Sequence, residues 1–156
     1  MDENREEFWD RIDDIRTGML EIGARFTPMT HSTDPEDGNL WFLTAKDTDA
    51  ATAAAAGEKS RYVVSNDSES IYADIHGTLS VSHDRAILEE VWSPIASTWF
   101  EDGINDPDIV LVCFRPASAE VWLGPESGFE GLFALAKAKL TGSTEDMGRQ
   151  FSLTFA

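Results

Sequence analysis

Between residues 25 and 46 the chain reads Arg-Phe-Thr-Pro-Met-Thr-His-Ser, then Thr-Asp-Pro-Glu-Asp-Gly-Asn, then Leu-Trp-Phe-Leu-Thr-Ala-Lys. Two runs rich in aromatic and β-branched residues flank a loop of Asp, Pro and Gly, a pattern that predicts a β-hairpin. The second run ends in Thr44, Ala45 and Lys46, and Asp47 and a string of alanines follow. A strand thus delivers a hydroxyl and an ammonium to the start of a helix. Outward-pointing helix-start amides and a lysine charge together suit a phosphate. In so acidic a chain, Lys46 is the first residue to question.

The remaining elements fall into place around this stretch. Phe8, Ile12 and Ile15 recur at helical spacing, which predicts a helix over 4–15, capped by Asn4 or Asp2. Trp9 lies beside that stripe, where it could reach another subunit. Residues 17–22 read as a first strand, turning at Gly23-Ala24 into the strand from Arg25. Pro28 lacks a ladder donor and marks an edge, a bulge or an opening. Residues 40–45 are the third strand, and Asp47 or Thr48 caps a helix that stops at Gly57. Residues 61–65 and 70–81 form a hairpin, with Gly77 as a bulge or a close backbone approach. Ser82 and Asp84 open a helix over 85–92 that Pro94 breaks or kinks, with a short continuation that carries Trp99 and Phe100. The apolar strand 109–115 is expected to be buried on both faces, with 119–123 as its hairpin partner after Pro116. A last helix over 129–140 and a strand near 151–155 complete the list. Six or so strands in hairpins favour a mainly β, antiparallel barrel with peripheral helices over a doubly wound sheet. No repeat or composition shift divides the 156 residues, so one domain is expected.

Charge excludes several functions. A net charge of −17 argues against sequence-independent binding of nucleic acid or docking on an anionic membrane, both of which need clustered Lys and Arg. No apolar run approaches transmembrane length, and the acidic first residues do not resemble a signal peptide. The single cysteine, Cys113, cannot make an intrachain disulfide, and a reducing cytoplasm is the default compartment. His31, His76 and His83 lack the spacing of a helical metal site. Ser65, Ser80 and Ser97 lack a nucleophile elbow. Asp13-Asp14, Glu89-Glu90 and Asp106/Asp108 read as solvated surface.

The order of landmarks carries more than any one of them. The chain has Phe-Trp-Asp-Arg-Ile-Asp-Asp-Ile-Arg at 8–16, Pro-Met at 28–29, Leu-Trp-Phe-Leu-Thr-Ala-Lys-Asp at 40–47 and Gly-Thr-Leu at 77–79. It continues with Val-Trp-Ser-Pro-Ile-Ala-Ser-Thr-Trp-Phe at 91–100, Asp-Pro-Asp-Ile-Val-Leu at 106–111, Ala-Glu-Val-Trp at 119–122 and Ala-Lys-Ala at 136–138. This set resembles the general stress protein branch of the pyridoxamine 5′-phosphate oxidase-like, FMN-binding split barrels. The resemblance implies a six-stranded split barrel working as a homodimer, with FMN in two clefts between the subunits (FAD shares the phosphate signal). It implies that Thr27, Pro28, Met29 and Thr30 run beside the flavin ring. Leu43 and Thr44 would pass the ribityl-phosphate end, Lys46 would pair with the phosphate, and Tyr72 would contact the flavin. Trp92 and Trp99 would belong to the dimer or the cleft wall. The chain departs from the branch at Thr27, where Arg is common, and at Ala45, where Ser is common; each change removes a polar contact. The C-terminal Arg and His that grip the substrate of true pyridoxamine phosphate oxidases have no match, so that activity is not supported.

Each reading has a plainer rival. An exposed Lys is the commonest kind of Lys, and only the resemblance puts the phosphate role of Lys46 first. Met29 is flavin contact or core filler with equal weight. Trp92 and Trp99, seven apart, share a helix face if Pro94 leaves the phase intact. The function expected is FMN-dependent redox chemistry with a small-molecule electron donor and acceptor. The alternatives are a flavin carrier or sensor in a stress response, and a barrel that has lost its flavin.

Overall fold

The computed structural model describes residues 2–34, 36–124 and 148–155. The chain runs α1 (Glu3–Asp14), β1 (Thr17–Ile22), β2 (Arg25–Thr30), β3 (Ser32–Asp34), β4 (Asn39–Ala45), α2 (Asp49–Ala55), β5 (Lys59–Asn66), β6 (Ile71–Ser82), α3 (Arg85–Val91), β7 (Ile109–Leu123) and β8 (Arg149–Thr154). The helix expected over 129–140 lies outside the described residues. All strand pairings are antiparallel, in the order β2-β1-β5-β6-β7-β4-β3, with β8 added to β7. β2 nevertheless approaches β4 from the far reach of that order. The sheet has therefore curled into a half-barrel, the mainly β split-barrel class expected.

The curl follows from side-chain alternation. Directly paired residues point to the same side of a sheet, so one face must be apolar throughout. The row Leu20–Tyr62–Ile75–Ala119–Leu153 crosses five strands and is buried. Leu40, Phe114 and Leu79 form a second such row. At the centre the Tyr62 ring stands edge-on to Phe42, centroids 5.1 Å apart. Each such side chain, fully buried, contributes about 1.5–3 kcal/mol.

Asp2, rather than Asn4, caps α1, accepting from the Asn4 N–H. Phe8, Ile12 and Ile15 are buried as their spacing requires. Trp9 is also buried, packed on Phe8 and Phe155 of its own chain, so it serves this core and not a neighbouring subunit. Arg11 ties the helix to the sheet by donating to the carbonyls of Glu69, Ser70 and Gly124.

Four strand expectations need correction. The hairpin across 25–46 exists only between the three-residue β3 and β4, because β2 leaves to pair β1 along its length. The break is at His31, whose N–H donates to the Arg16 carbonyl and whose ring turns inward. Residues 109–115 and 119–123 are not a hairpin but one strand of 15 residues. Pro116 fits there because β4 pairs only as far as Phe114 and β8 begins at Ser118, so its missing N–H falls at the changeover. On the other side the β6–β7 register shifts at His76/Gly77. A Cβ on Gly77 would lie 2.4 Å from the Arg115 carbonyl oxygen, which is the close approach the glycine signalled. The first half of β7 is also not sealed on both faces: Val110 and Cys113 are half-buried and Arg115 is exposed. Eight strands are present among the described residues, rather than six, because β3 splits from β2 and β8 joins the sheet.

Candidate functional site

β4 ends in Leu43, Thr44 and Ala45, held by pairing with Leu111, Val110 and Ile109 at the start of β7. Lys46 comes next. Its N–H donates to the Asp108 carbonyl at 2.8 Å, and its Nζ lies 3.0 Å from Asp108 Oδ1. The hydrogen bond and charge of Asp108 hold the Lys46 ammonium above the usual lysine range. The side chain is 60% exposed, open to a larger anion. Asp47 turns the chain at φ 68°, a left-handed conformation that Asp tolerates better than most residues. Thr48 then caps α2, accepting from the Ala51 N–H. The Thr44 hydroxyl lies 2.9 Å from that of Thr48. Arg25 at the start of β2 reaches Asp49 at 3.3 Å, so a guanidinium stands by the same turn.

β2 is an edge strand, as Pro28 required. Pro28 and Thr30 are exposed, while Thr27 and Met29 are half-buried, with Met29 packed against the core. One chain thus brings the 27–30 strand and the Leu43–Thr44–Lys46 turn to neighbouring parts of the barrel. It does not bring Tyr72 there. Ser82, across β7 from Leu43, is ten residues from Tyr72 along β6, roughly 30 Å of extended strand. Tyr72 instead pairs across to Trp122 and donates to Asp67 Oδ1 at 3.2 Å. Burial foremost, then the Asp67 bond, raises its pKa.

Trp92 and Trp99 do not share a helix face. α3 ends at Val91, Trp92 is extended, and a 3₁₀ turn over Ala96–Thr98 follows. Trp92 leans on Phe100 at 6.1 Å between ring centroids, whereas Trp99 is 69% exposed. His31 lies inside the barrel. Its Nδ1 lies 2.6 Å from the Tyr62 hydroxyl and its Nε2 lies 3.0 Å from the Ile12 carbonyl. Burial lowers its pKa; with Nε2–H donating to the Ile12 carbonyl, the neutral ring's Nδ1 and the Met29 carbonyl, 3.2 Å from the Tyr62 hydroxyl, share that hydroxyl's one proton. Burial likewise raises the Cys113 thiol, which favours a structural over a reactive role.

Two clefts flank the Lys46 turn. One of about 310 Å³ is lined by His83, Arg85, Leu88, Asp106 and Ile109, among others. One of about 400 Å³ is lined by Gly23, Arg25, Asp49 and Glu58, among others. Neither includes Thr44 or Lys46, so a ligand on Lys46 would need a wall from elsewhere. The outer sheet face carries candidates for such a wall. Pro28, Met19 and Val63 form one row across β2, β1 and β5, and Tyr72 and Trp122 lie in the next. Met19 and Phe26 on this face are more than a third exposed.

The residue that sequence reasoning missed is Asp108, taken there for solvated surface. A usable signal existed: once 40–45 pairs antiparallel with 109–114, the residue after one strand must face the residue before the other. Asp106 is likewise engaged, accepting from the Asp102 and Asp108 N–H groups. Among the described residues, no three His, Cys, Asp or Glu side chains gather as a metal site. No helix there is long and apolar enough to cross a membrane.

Residues 3–146 match the family model described as pyridoxamine 5′-phosphate oxidase like. A crystal structure named for general stress protein 26 from Jannaschia sp. CCS1 is 46% identical, covering 97% of this chain and 98% of its own, with a TM-score of 0.82. The general stress FMN/FAD binding protein from Xanthomonas citri is 28% identical, over 76% of this chain and 87% of its own, with a TM-score of 0.68. A protein from Clostridium acetobutylicum related to general stress protein 26 is 17% identical, over 99% and 97%, with a TM-score of 0.67, a likeness that speaks for the fold alone. No curated protein matches.

Proposed function

The chain belongs to the pyridoxamine 5′-phosphate oxidase-like family, and we propose that it is a flavin-binding redox protein that takes FMN, or FAD, between two copies of itself. The observation that carries this reading is the β4 end, where an exposed Lys46 ammonium follows Thr44, whose hydroxyl is paired with that of Thr48 across the turn. That donor set fits a phosphorylated ligand: one cation and two hydroxyls at an open strand end. The FMN/FAD binding named for the Xanthomonas citri protein supports the choice of ligand. Lys46 and Thr44 would hold the phosphate end, with Leu43 beside them, and Thr27, Pro28, Met29 and Thr30 would border the ring.

The placement of Tyr72 supports a homodimer. It lies too far from Lys46 to share a ligand within one chain, so both residues serve one site only if two protomers contribute. The outer face, where the apolar Met19, Pro28, Val63 and Trp122 lie beside the Arg61–Asp74 ion pair, gives a second copy a surface to cover, and Trp92 and Trp99 supply further wall. Bound flavin supplies one- and two-electron transfer. The chain's own residues bind it, orient it and exclude water. A nicotinamide or another small donor, and oxygen or another acceptor, complete the redox reading. The half-buried lone thiol suits a reducing cytoplasm.

The test is an absorbance spectrum after loading with FMN and desalting, together with light scattering. Retained flavin bands and a dimer mass are expected, followed by FMN-dependent oxidation of reduced nicotinamide. Flavin retained without turnover would favour a carrier or sensor. A colourless monomer would overturn the reading.

A further inference from the structure

Every cation and hydroxyl at the β4 end already has an internal partner. Lys46 Nζ holds Asp108 at 3.0 Å, Arg25 holds Asp49 at 3.3 Å, and the Thr44 and Thr48 hydroxyls hold each other. An incoming phosphate must therefore enter by exchange. Resting on the flavin reading above, we propose that Asp108 is a specificity-determining residue: its carboxylate occupies the phosphate's place on Lys46 and makes the site discriminate against a phosphate dianion.

Two features separate this role from simple positioning. Lys46 is tethered twice to Asp108, and the backbone tether, N–H to carbonyl at 2.8 Å, does not involve the carboxylate. Removing the carboxylate charge leaves the turn in register. The side-chain pair is also exposed on both partners, 60% and 49%. An exposed pair holds its lysine loosely and yields to a stronger anion. Once displaced, the Asp108 carboxylate cannot go far, because its residue immediately precedes β7, its carbonyl holds the Lys46 N–H and its own N–H is bound to Asp106 Oδ1. Asp106 and Asp47 add charge of the same sign nearby. The repulsion grows with the charge on the ligand, so a phosphate monoester is penalised more as it loses its second proton near pH ~6. A phosphodiester, with one charge per phosphorus, escapes the second part of that penalty.

The experiment measures FMN and riboflavin affinity by equilibrium dialysis at pH 5.5 and 8. It uses the full chain, Asp108→Asn and Asp108→Glu. Asp108→Asn is expected to tighten FMN roughly three- to tenfold at pH 8 and less at pH 5.5, as loss of an exposed like charge allows. Riboflavin is unchanged and Asp108→Glu behaves as the parent. Weaker FMN binding in Asp108→Asn, or equal changes for both flavins, would make Asp108 a structural residue and overturn the proposal. A second readout follows the Lys46 side-chain NMR signal, assigned with Lys46→Ala, during titration with inorganic phosphate. The signal should move at lower phosphate in Asp108→Asn than in the parent, and coincident titrations overturn the proposal. If no variant binds either flavin, the flavin reading fails, and the phosphate titration still decides the role of Asp108.

Discussion

Gly77→Ala adds one methyl group where β6 and β7 change register. The new Cβ would sit 2.4 Å from the Arg115 carbonyl oxygen and 2.8 Å from two atoms of the Phe114 ring. Phe114 is fully buried, so its ring cannot swing aside. Arg115 belongs to the middle of a strand paired with β6 on one side and with β4 and then β8 on the other. Relief needs about 1 Å of movement, the gap between 2.4 Å and an ordinary 3.4 Å contact, and that movement must come from the backbone. Overpacking costs about 1–3 kcal/mol, and a backbone obstacle with a buried ring behind it belongs at the upper end. At about 3 kcal/mol the melting temperature should fall by about 6–12 °C for a domain of this size. Gly38→Ala is the control. It forces a side chain onto a φ of 69° but meets nothing, so it carries only the left-handed penalty of about 1–2 kcal/mol. Urea unfolding followed by tryptophan fluorescence, at one fixed protein concentration, compares the two. A Gly77→Ala loss no larger than that of Gly38→Ala would show that the bulge is slack and the reasoning wrong.

Three further outcomes are expected. Tyr62→Phe keeps the ring contacts but strips the hydroxyl from the His31 Nδ1 and from the Met29 carbonyl, and should cost about 1–3 kcal/mol in urea melts; a neutral result would mean water replaces it. Burial lowers the His31 pKa, with Arg16 adding to the effect and Asp13 opposing it. The unfolded chain therefore takes up a proton more readily than the folded one, so this contribution is present above about pH 6.5 and lost as pH falls below it. The urea midpoint should drop between pH 7.5 and 5.5 and drop less in His31→Gln; equal slopes would remove His31 from the linkage. Lys46→Ala should weaken FMN binding severalfold while leaving riboflavin binding unchanged, because a charge-assisted phosphate contact is lost; unchanged FMN affinity by dialysis would place Lys46 outside the site.

Local chemistry made most elements legible. Thr48 ahead of the alanine tract, Asp84 ahead of α3 and Gly77 within β6 each announced a cap or a close approach whose cause is local. What the sequence hid was non-local. Pro116 reads as a strand break, and it ceases to be one only because the neighbours on one side of β7 change hands there. His31 reads as part of a strand, yet it turns in because Tyr62 and Ile12 offer partners inside the barrel. Of the site, the Thr44–Lys46 turn was visible as a strand meeting a helix. Asp108 was not, since its meaning depends on register between two strands far apart in the chain. The separation of Tyr72 from Lys46 was equally invisible, because spacing along a sequence carries no sense of which end of a long strand a residue occupies.

The packing of α1 has a consequence for synthesis on the ribosome. Its stripe of Phe8, Trp9 and Ile12 is made first, but the aromatic cover for Phe8 and Trp9 is Phe155, just past β8. Arg5 donates to the Thr154 carbonyl and Arg149 to the Asn4 side chain, so the same two segments are also stitched by polar contacts. The helix must wait, greasy face uncovered, for nearly the whole remaining chain to emerge. At translation speeds of about 5–20 residues per second, that wait is many seconds, far longer than a helix needs to form. A nascent chain stalled after β7 should thus be a client for chaperones, and release of the last strand should be the event that ends its dependence on them.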